Sequence, residues 1–319
     1  MEARLEHLQC LTPDEFRRRK GQLDPARWRL LAHGDSWFSF TSARVDAHAN
    51  LLEELVFSQP TVAVSCAGHH NALRRMVDLE GSRDFVQLLD GDDASGPVWD
   101  GILLSMGGND LVAAAMVPAL LGNGQPTPLH QRLLRRQTEW DAPSKGVSRY
   151  FSEDGWLTYA EYVKANLKHV LSMRDDGPNQ GKPVFMHCYA VPMPRPAGES
   201  ADASSGPWLY PALKAYAIPQ ADWAAMSRLM LAKLAALLKA CAADTAQYPN
   251  LQVFDSTQVP IAPAAPGSSG ISGDWHNEIH LNHSGCFKIA RAWSTHIEAV
   301  LSGKPLVVAA PTKGRGRKG

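Results

Sequence analysis

Apolar runs and amphipathic segments alternate along the chain, which is the pattern of an α/β protein with a parallel sheet. Short apolar runs predict five strands, over residues 29–33, 61–65, 98–105, 184–189 and 251–254. Segments with helical periodicity are found over residues 11–20, 43–57, 71–79, 111–121, 129–140, 159–173, 222–242 and 284–301. The first helix has clear start signals, because Thr12 can cap it and Pro13 suits its first position. The alternation predicts a doubly wound parallel sheet.

Two stretches exceed what a minimal α/β unit needs, and we interpret them as insertions at about residues 111–145 and 190–219. The first joins an apolar helix to a basic amphipathic segment. The second is rich in proline, glycine and serine, and it carries Trp208, Tyr210 and Tyr216. Loops this long inside a compact domain are usually functional or disordered, and the spaced aromatic residues favour a packed loop that lines a pocket. The first insertion either covers the active-site edge or is a plain pair of surface helices.

No internal repeat or linker divides the chain, so we expect one domain over residues 1–303 and a disordered basic tail over 304–319. The 32 basic residues balance the 32 acidic ones, which argues against nucleic-acid or membrane-surface binding. Five cysteines without a CxxC motif indicate free thiols. No apolar signal segment and no run long enough to span a membrane is present, so we expect a cytoplasmic protein. The oligomeric state does not follow from the sequence.

Four short motifs carry the candidate chemistry. Gly34-Asp35-Ser36 follows the first predicted strand, Gly68 ends the second, Asn109 follows the third, and His280 precedes the last helix. The carboxyl ends of parallel strands meet at one edge of a sheet, where open α/β folds build their sites. A serine hydroxyl needs an adjacent base to become a nucleophile, and histidine titrates near neutral pH. Taken singly, each residue is also compatible with a turn, a strand end or a helix-flanking position.

In order and spacing these motifs resemble the four blocks of the SGNH (GDSL-type) hydrolases. The family's serine, glycine, asparagine and histidine fall here on Ser36, Gly68, Asn109 and His280. The resemblance implies a flavodoxin-like three-layer α/β/α sandwich with a five-stranded parallel sheet in the order 2-1-3-4-5. It also implies a serine esterase that acts through an acyl-enzyme without a cofactor. The amides of Ser36 and Gly68 and the side chain of Asn109 would then form the oxyanion hole.

The acid of the catalytic triad departs from the family pattern. The usual spacing places an aspartate three residues before the histidine, and here that residue is Asn277. We favour Asp274, which one extra turn would bring back to the ring of His280. Glu278 is the second candidate, and the third is a Ser–His dyad whose ring is oriented by Asn277 or by the backbone. The orienting group fixes the histidine tautomer, and a carboxylate also stabilises the imidazolium.

The sequence does not identify the substrate. The apolar and aromatic insertions favour a small-molecule ester with a small or apolar acyl group. A carbohydrate O-deacetylase or a thioesterase on the same machinery is the alternative, and a non-catalytic acyl- or carbohydrate-binding relative is disfavoured by the intact Ser36 and His280. Histidines and carboxylates crowd residues 274–283, but the His-Glu-x-x-His pattern is missing, so we expect no metal.

Overall fold

A six-stranded parallel sheet forms the centre of the molecule. The computed structural model describes residues 5–19, 26–40, 49–68, 72–76, 78, 81–91, 98–199 and 206–304. The strands are β1 (Glu6–His7), β2 (Gln9–Leu11), β3 (Trp28–Gly34), β4 (Val56–Phe57), β5 (Thr61–Ser65), β6 (Gly101–Ser105), β7 (Val184–His187) and β8 (Leu251–Phe254). The helices are α1 (Pro13–Arg18), α2 (Ser36–Ser39), α3 (Leu73–Met76), α4 (Arg83–Asp90), α5 (Gly108–Met116), α6 (Glu153–Asp176), α7 (Leu209–Ala215), α8 (Trp223–Ala243) and α9 (His283–Leu301).

The strand order in the sheet is β2-β5-β3-β6-β7-β8, and every neighbouring pair is parallel. Five of these strands coincide with the predicted apolar runs, and they follow one another in the expected order 2-1-3-4-5. The expectation of five strands is corrected to six, because β2 adds to the edge beside β5. This strand has three residues and one buried side chain, so no apolar run announces it. Strands β1 and β4 form a separate antiparallel pair.

Helices pack on both faces of the sheet. His33 of β3 and Met186 of β7 share one face through the registered pairing, so His187 points to the opposite face. On the first face Phe85 of α4 stacks on His33, with the ring centroids 4.6 Å apart. On the second face Trp293 of α9 contacts His187, with the ring centroids 5.2 Å apart. Strands covered on both faces are mainly apolar, which is why the sequence predicts them as apolar runs.

The helix predicted over residues 43–57 is not found in the part that the structure describes. Residues 41–48 lie outside the described residues, and residues 49–57 form turns followed by β4. The amide of Val56 donates to the Ser294 hydroxyl of α9 at 3.0 Å, and the carbonyl of Leu55 accepts from Leu8 at 2.9 Å. These long-range hydrogen bonds use the N–H of Val56 and the carbonyl of Leu55, which would bond within the helix if it continued.

The predicted helix 129–140 is also corrected, because this part of the first insertion forms 3₁₀ turns at Leu129–Gln131 and Gln137–Glu139. The side chain responsible is Arg132, which is only 1% exposed. Its guanidinium donates to two backbone carbonyl groups and to both oxygens of Glu139. A buried arginine needs this many partners, and satisfying them folds the segment around it.

Two other predictions, the basic tail and the helix over residues 71–79, fall wholly or partly outside the described residues. Residues 305–319 contain nearly all of the basic tail and lie outside the described residues, as do positions 71, 77 and 79 of the predicted helix 71–79. Helix α3 occupies part of that segment. Within the described residues, no helix is both long enough and apolar enough to cross a membrane.

Candidate active site

The candidate nucleophile stands at the turn between strand β3 and the short helix α2. Strand β3 ends at Gly34, Asp35 caps the helix by accepting from the amide of Trp37 at 3.0 Å, and Ser36 is the first helical residue. Ser36 is buried, with 4% of its surface exposed. Its amide belongs to the first turn, whose N–H groups have no partner within the helix. The turn therefore presents a hydroxyl and an amide at the carboxyl edge of the sheet.

His280 reaches the same point from a loop on the other side of the cleft. Its Nε2 lies 2.7 Å from the Oγ of Ser36, although the two residues are 244 positions apart. The ring stacks on Phe40 with the centroids 4.3 Å apart, and the edge of Trp208 contacts it at 5.6 Å. The amide of His276 donates to the carbonyl of His280 at 2.9 Å, which closes the loop into a tight turn. The 2.7 Å distance between Ser36 Oγ and His280 Nε2 suits proton transfer between the hydroxyl and the imidazole.

Two side chains of the described residues face Nδ1, the second ring nitrogen of His280. Asn277 Nδ2 lies 2.8 Å from it, and Glu199 Oε1 lies 3.5 Å from it. The Oδ1 of Asn277 accepts from the amides of Ile279 at 3.0 Å and His280 at 2.8 Å. Asn277 therefore occupies the place that an aspartate takes in the family pattern. The sequence analysis missed Glu199, and the only signal for it was an acidic residue inside the second insertion.

Asp274 does not contact the histidine, so our preference for it as the triad acid is corrected. Its carboxylate accepts from Lys288 Nζ at 2.6 Å, from the Ser284 hydroxyl at 2.8 Å and from the amide of Ala262 at 2.6 Å. Burial opposes ionisation, but these three donors outweigh it and hold the pKa of Asp274 below its ordinary value. Asp274 thus ties the loop to the first turns of α9.

Glu278 also points away from the ring, which corrects the second candidate. Its carboxylate is fully buried and accepts from four backbone amides, those of Arg195, Trp208, Leu209 and Tyr210. Burial raises the pKa of Glu278 to about 7, against the opposing effect of these hydrogen bonds. Glu278 anchors the second insertion to the loop that carries His280.

Asn109 lies in the first turn of α5, directly after strand β6. It lines the same cleft as Ser36 and His280. Gly107 has φ of 94° where the strand turns into the helix, a conformation that favours glycine. Gly108 must also lack a side chain, because a Cβ there would lie 2.6 Å from the ring of Tyr189. The two glycines allow the turn that places Asn109 in the cleft that Ser36 also lines.

Gly68 does not offer its amide to the cleft. This amide donates to the carbonyl of Gly34 at 3.0 Å and so continues the ladder between β5 and β3. An N–H group has one hydrogen to donate, so this amide is not available to an oxyanion. The expectation that Gly68 contributes to the oxyanion hole is therefore corrected. Residues 69–71, which follow it, lie outside the described residues.

A buried polar network supports the turn from below. The carboxylate of Asp35 accepts from the Ser105 hydroxyl at 2.8 Å and from the Tyr189 hydroxyl. Ser105 also lies 3.0 Å from Nε2 of His187. Burial raises the pKa of Asp35 to about 6 and lowers the pKa of His187 to about 3. The sequence analysis placed Asp35 in a motif without a role and did not name Ser105 or His187, whose signal was that polar residues end the apolar runs 98–105 and 184–189.

Both insertions contribute walls to the cleft above Ser36. The cleft measures about 210 Å³, and its walls include Val112, Ala113 and Met116 from the first insertion and Glu199 and Trp208 from the second. A narrower pocket of about 30 Å³ adjoins it and shares Asn109, Val112 and Ile279. The other side chains of this pocket are almost all apolar, including Leu111, Leu209 and Leu231. A space of this size holds only one or two small groups, since a single water needs about 10–15 Å³.

The histidines and carboxylates of residues 274–283 do not converge. His283 pairs with Glu54 at 2.7 Å, while Asp274, Glu278 and His280 have the separate partners described above. Among the described residues, no group of three or more histidine, cysteine, aspartate or glutamate side chains is arranged to hold a metal ion.

Comparisons with known proteins give likenesses of structure only. No protein-family model matches the sequence, and no curated protein matches it. An extracellular lipase from Streptomyces rimosus is 15% identical, with 82% of this chain and 97% of that one covered and a TM-score of 0.43. An aryl esterase from M. smegmatis is 13% identical, with coverage of 85% and 99% and a TM-score of 0.41. A carbohydrate acetylesterase from Sinorhizobium meliloti is 13% identical, with coverage of 86% and 100% and a TM-score of 0.42. Similarity this distant does not assign an activity, which depends on the geometry of the site.

Proposed function

We propose that the protein is a serine ester hydrolase of the SGNH type, in which Ser36 is the nucleophile and His280 the general base. The observation that carries the proposal is the 2.7 Å contact between Ser36 Oγ and His280 Nε2 in a cleft that Asn109 also lines. A hydroxyl, a base and an amide donor around one cleft are the parts that acyl transfer requires.

The reaction proceeds in two halves. His280 takes the proton from Ser36 as Oγ bonds to the carbonyl carbon, and the carbonyl oxygen becomes an oxyanion. His280 then gives this proton to the departing alcohol oxygen as the carbon–oxygen bond of the ester breaks. Water repeats the sequence on the acyl-enzyme and releases the acid. Water is the only reactant consumed besides the ester.

We assign two donors to the oxyanion, the amide of Ser36 and the side-chain amide of Asn109, because both residues line the cleft. The amide of Gly68 bonds to Gly34 and takes no part in this arrangement. Removing one oxyanion donor typically lowers kcat by about 10²–10³-fold. Asn109 is the donor that mutation can remove, so it is the natural test of this assignment.

The pocket beside Asn109 favours esters of short acyl groups. Its volume of about 30 Å³ and its apolar walls suit a group as small as an acetyl. The wider cleft, at about 210 Å³, is then left for the alcohol portion. The same observation favours an O-deacetylase acting on a carbohydrate as the second candidate, since such substrates also present an acetyl ester. A cytoplasmic location stays a prediction from the sequence.

The experiment is covalent labelling combined with a panel of p-nitrophenyl esters of increasing acyl length. A fluorophosphonate should add one label to the wild type and none to Ser36→Ala, while both proteins keep the same circular dichroism spectrum. Hydrolysis should be fastest for the acetyl ester. Labelling that survives in Ser36→Ala would refute the nucleophile, and a preference for long acyl chains would refute the acyl assignment.

A further inference from the structure

Two side chains of the described residues, with opposite hydrogen-bonding character, lie beside the Nδ1 atom of the His280 ring. Asn277 Nδ2 lies 2.8 Å away, and the carboxylate oxygen of Glu199 lies 3.5 Å away. The orientation of the Asn277 amide follows from its network, because Oδ1 already accepts from two backbone N–H groups. The group that faces the ring is therefore the NH₂, which is a donor.

Asn277 and Glu199 favour different tautomers of the neutral ring. An N–H that points at Nδ1 needs a lone pair there, so the ring proton sits on Nε2. Nε2–H then donates to Ser36 and cannot accept its proton. A carboxylate favours a proton on Nδ1, which leaves the lone pair of Nε2 facing the hydroxyl. Asn277 thus stabilises the tautomer that is not a base.

The contrast persists after proton transfer. An imidazolium carries N–H groups on both nitrogens, so its Nδ1–H would face the NH₂ of Asn277, and two donors do not bond. A carboxylate accepts this hydrogen and offsets the positive charge. Between Asn277 and Glu199, it is Glu199 that meets what catalysis by His280 requires.

The chain ties the segment that carries Glu199 to the turn that carries His280. The amide of Glu278 donates to the carbonyl of Ala197 at 2.9 Å, two residues before Glu199. The Glu278 carboxylate binds the amides of Arg195 and Trp208, which flank Glu199 on both sides along the chain. From 3.5 Å, an approach of about 0.7 Å would bring Glu199 to the length of a charge-assisted hydrogen bond.

We propose that Glu199, supplied by the second insertion, is the triad carboxylate that orients His280, and that Asn277 holds the resting ring in the non-basic tautomer until Glu199 closes on Nδ1. This inference rests on the proposed function. In the exchange Nε2 releases its proton to water and Nδ1 takes one up, so the ring stays neutral. The proton of Ser36 then passes to Nε2 while Oγ bonds to the carbonyl carbon. Glu199 also lines the cleft, so a bound substrate shields its carboxylate from solvent.

The test compares the effect of Glu199→Gln in two backgrounds, the wild type and Asn277→Asp. In the wild type, Glu199→Gln should lower kcat for p-nitrophenyl acetate by about 10²–10⁴-fold with little change in KM, because the ring keeps the wrong tautomer. Asn277→Asp places a carboxylate at the 2.8 Å position and should be at least as active as the wild type. In that background Glu199→Gln should lower kcat by less than about tenfold, because the second carboxylate replaces the first.

Controls separate this role from a structural one. Glu161→Gln changes an exposed glutamate on α6 and should leave kcat unchanged. The ¹⁵N spectrum of the histidine side chains, with His280 assigned by its loss in His280→Ala, should show the resting proton on Nε2 in the wild type and in Glu199→Gln, and on Nδ1 in Asn277→Asp. Wild-type activity in Glu199→Gln, or an equal loss in both backgrounds, would overturn the inference. A wild type that neither hydrolyses esters nor reacts with the fluorophosphonate would instead refute the proposed function.

Discussion

At Gly34, strand β3, which leads to Ser36, packs against β6 so closely that no side chain fits. A Cβ at this position would lie 2.8 Å from the Cβ of Ser105, 2.9 Å from its carbonyl oxygen and 3.0 Å from the ring of Phe38. Ser105 is fully buried and its hydroxyl bonds to Asp35, so it has little room to yield. Gly34→Ala must therefore push β3 away from β6 or tilt the turn that holds Ser36.

The size of the effect follows from these distances. Ordinary contacts begin at 3.4 Å, so the backbone must move by about 0.6 Å, and overpacking of this kind costs about 1–3 kcal/mol of stability. The same movement would lengthen the 2.7 Å contact between Ser36 and His280 to about 3.3 Å. Because a displacement of about 1 Å can lower a rate about 100-fold, we expect kcat to fall by about 10–100-fold.

Urea unfolding and the hydrolysis of p-nitrophenyl acetate measure the two effects on one protein. Gly122→Ala is the matched control, because a Cβ there would have no neighbour within 4 Å. This control should differ from the wild type by less than about 0.5 kcal/mol. If Gly34→Ala were as stable and as active as Gly122→Ala, the packing at the nucleophile turn would not be what positions Ser36.

Four further outcomes are expected. Asn109→Ala should lower kcat by about 10²–10³-fold with little change in KM, and a rise in KM at constant kcat would make Asn109 a substrate-binding residue instead. Asp274→Asn should lower the free energy of unfolding by about 1–3 kcal/mol at pH 7 and leave kcat within a few-fold, because its partners are structural. Since the folded-state pKa of Asp274 is lowered, this stabilisation is present above about pH 4 and should be lost as the pH falls through the folded-state pKa. A loss of kcat as large as that of Asn109→Ala would instead place Asp274 in the catalytic site. Trp208→Ala should alter the acyl or alcohol preference more than Tyr210→Ala, because Trp208 lines the cleft whereas Tyr210 packs on Trp223, and identical preference profiles would refute this division. EDTA should leave activity intact, and a loss that added zinc restores would indicate a metal-dependent reaction.

The sequence by itself determined the central sheet and the meeting place of the candidate residues. Apolar runs mark strands that are buried on both faces, and parallel strands bring their carboxyl ends to one edge. Ser36 and Asn109 follow two of these strands and could therefore be placed together from the sequence, whereas His280 was joined to them by the resemblance of the four motifs to the SGNH hydrolases. The edge strand β2 was not predicted, because its three residues include one buried side chain and show no periodic pattern.

Only the tertiary structure decided which groups face the two nitrogens of His280 and which amides remain for the oxyanion. Asp274 and Glu278 lie close to the histidine in sequence, but Lys288 of α9 attracts the first and the amides of the second insertion bind the other. Glu199 belongs to a distant loop and lies 3.5 Å from Nδ1. The amide of Gly68 donates to the carbonyl of Gly34. The physical reason is that a carboxylate or an amide bonds to whichever partner the fold brings within about 3 Å, and that choice depends on packing between distant segments rather than on spacing along the chain.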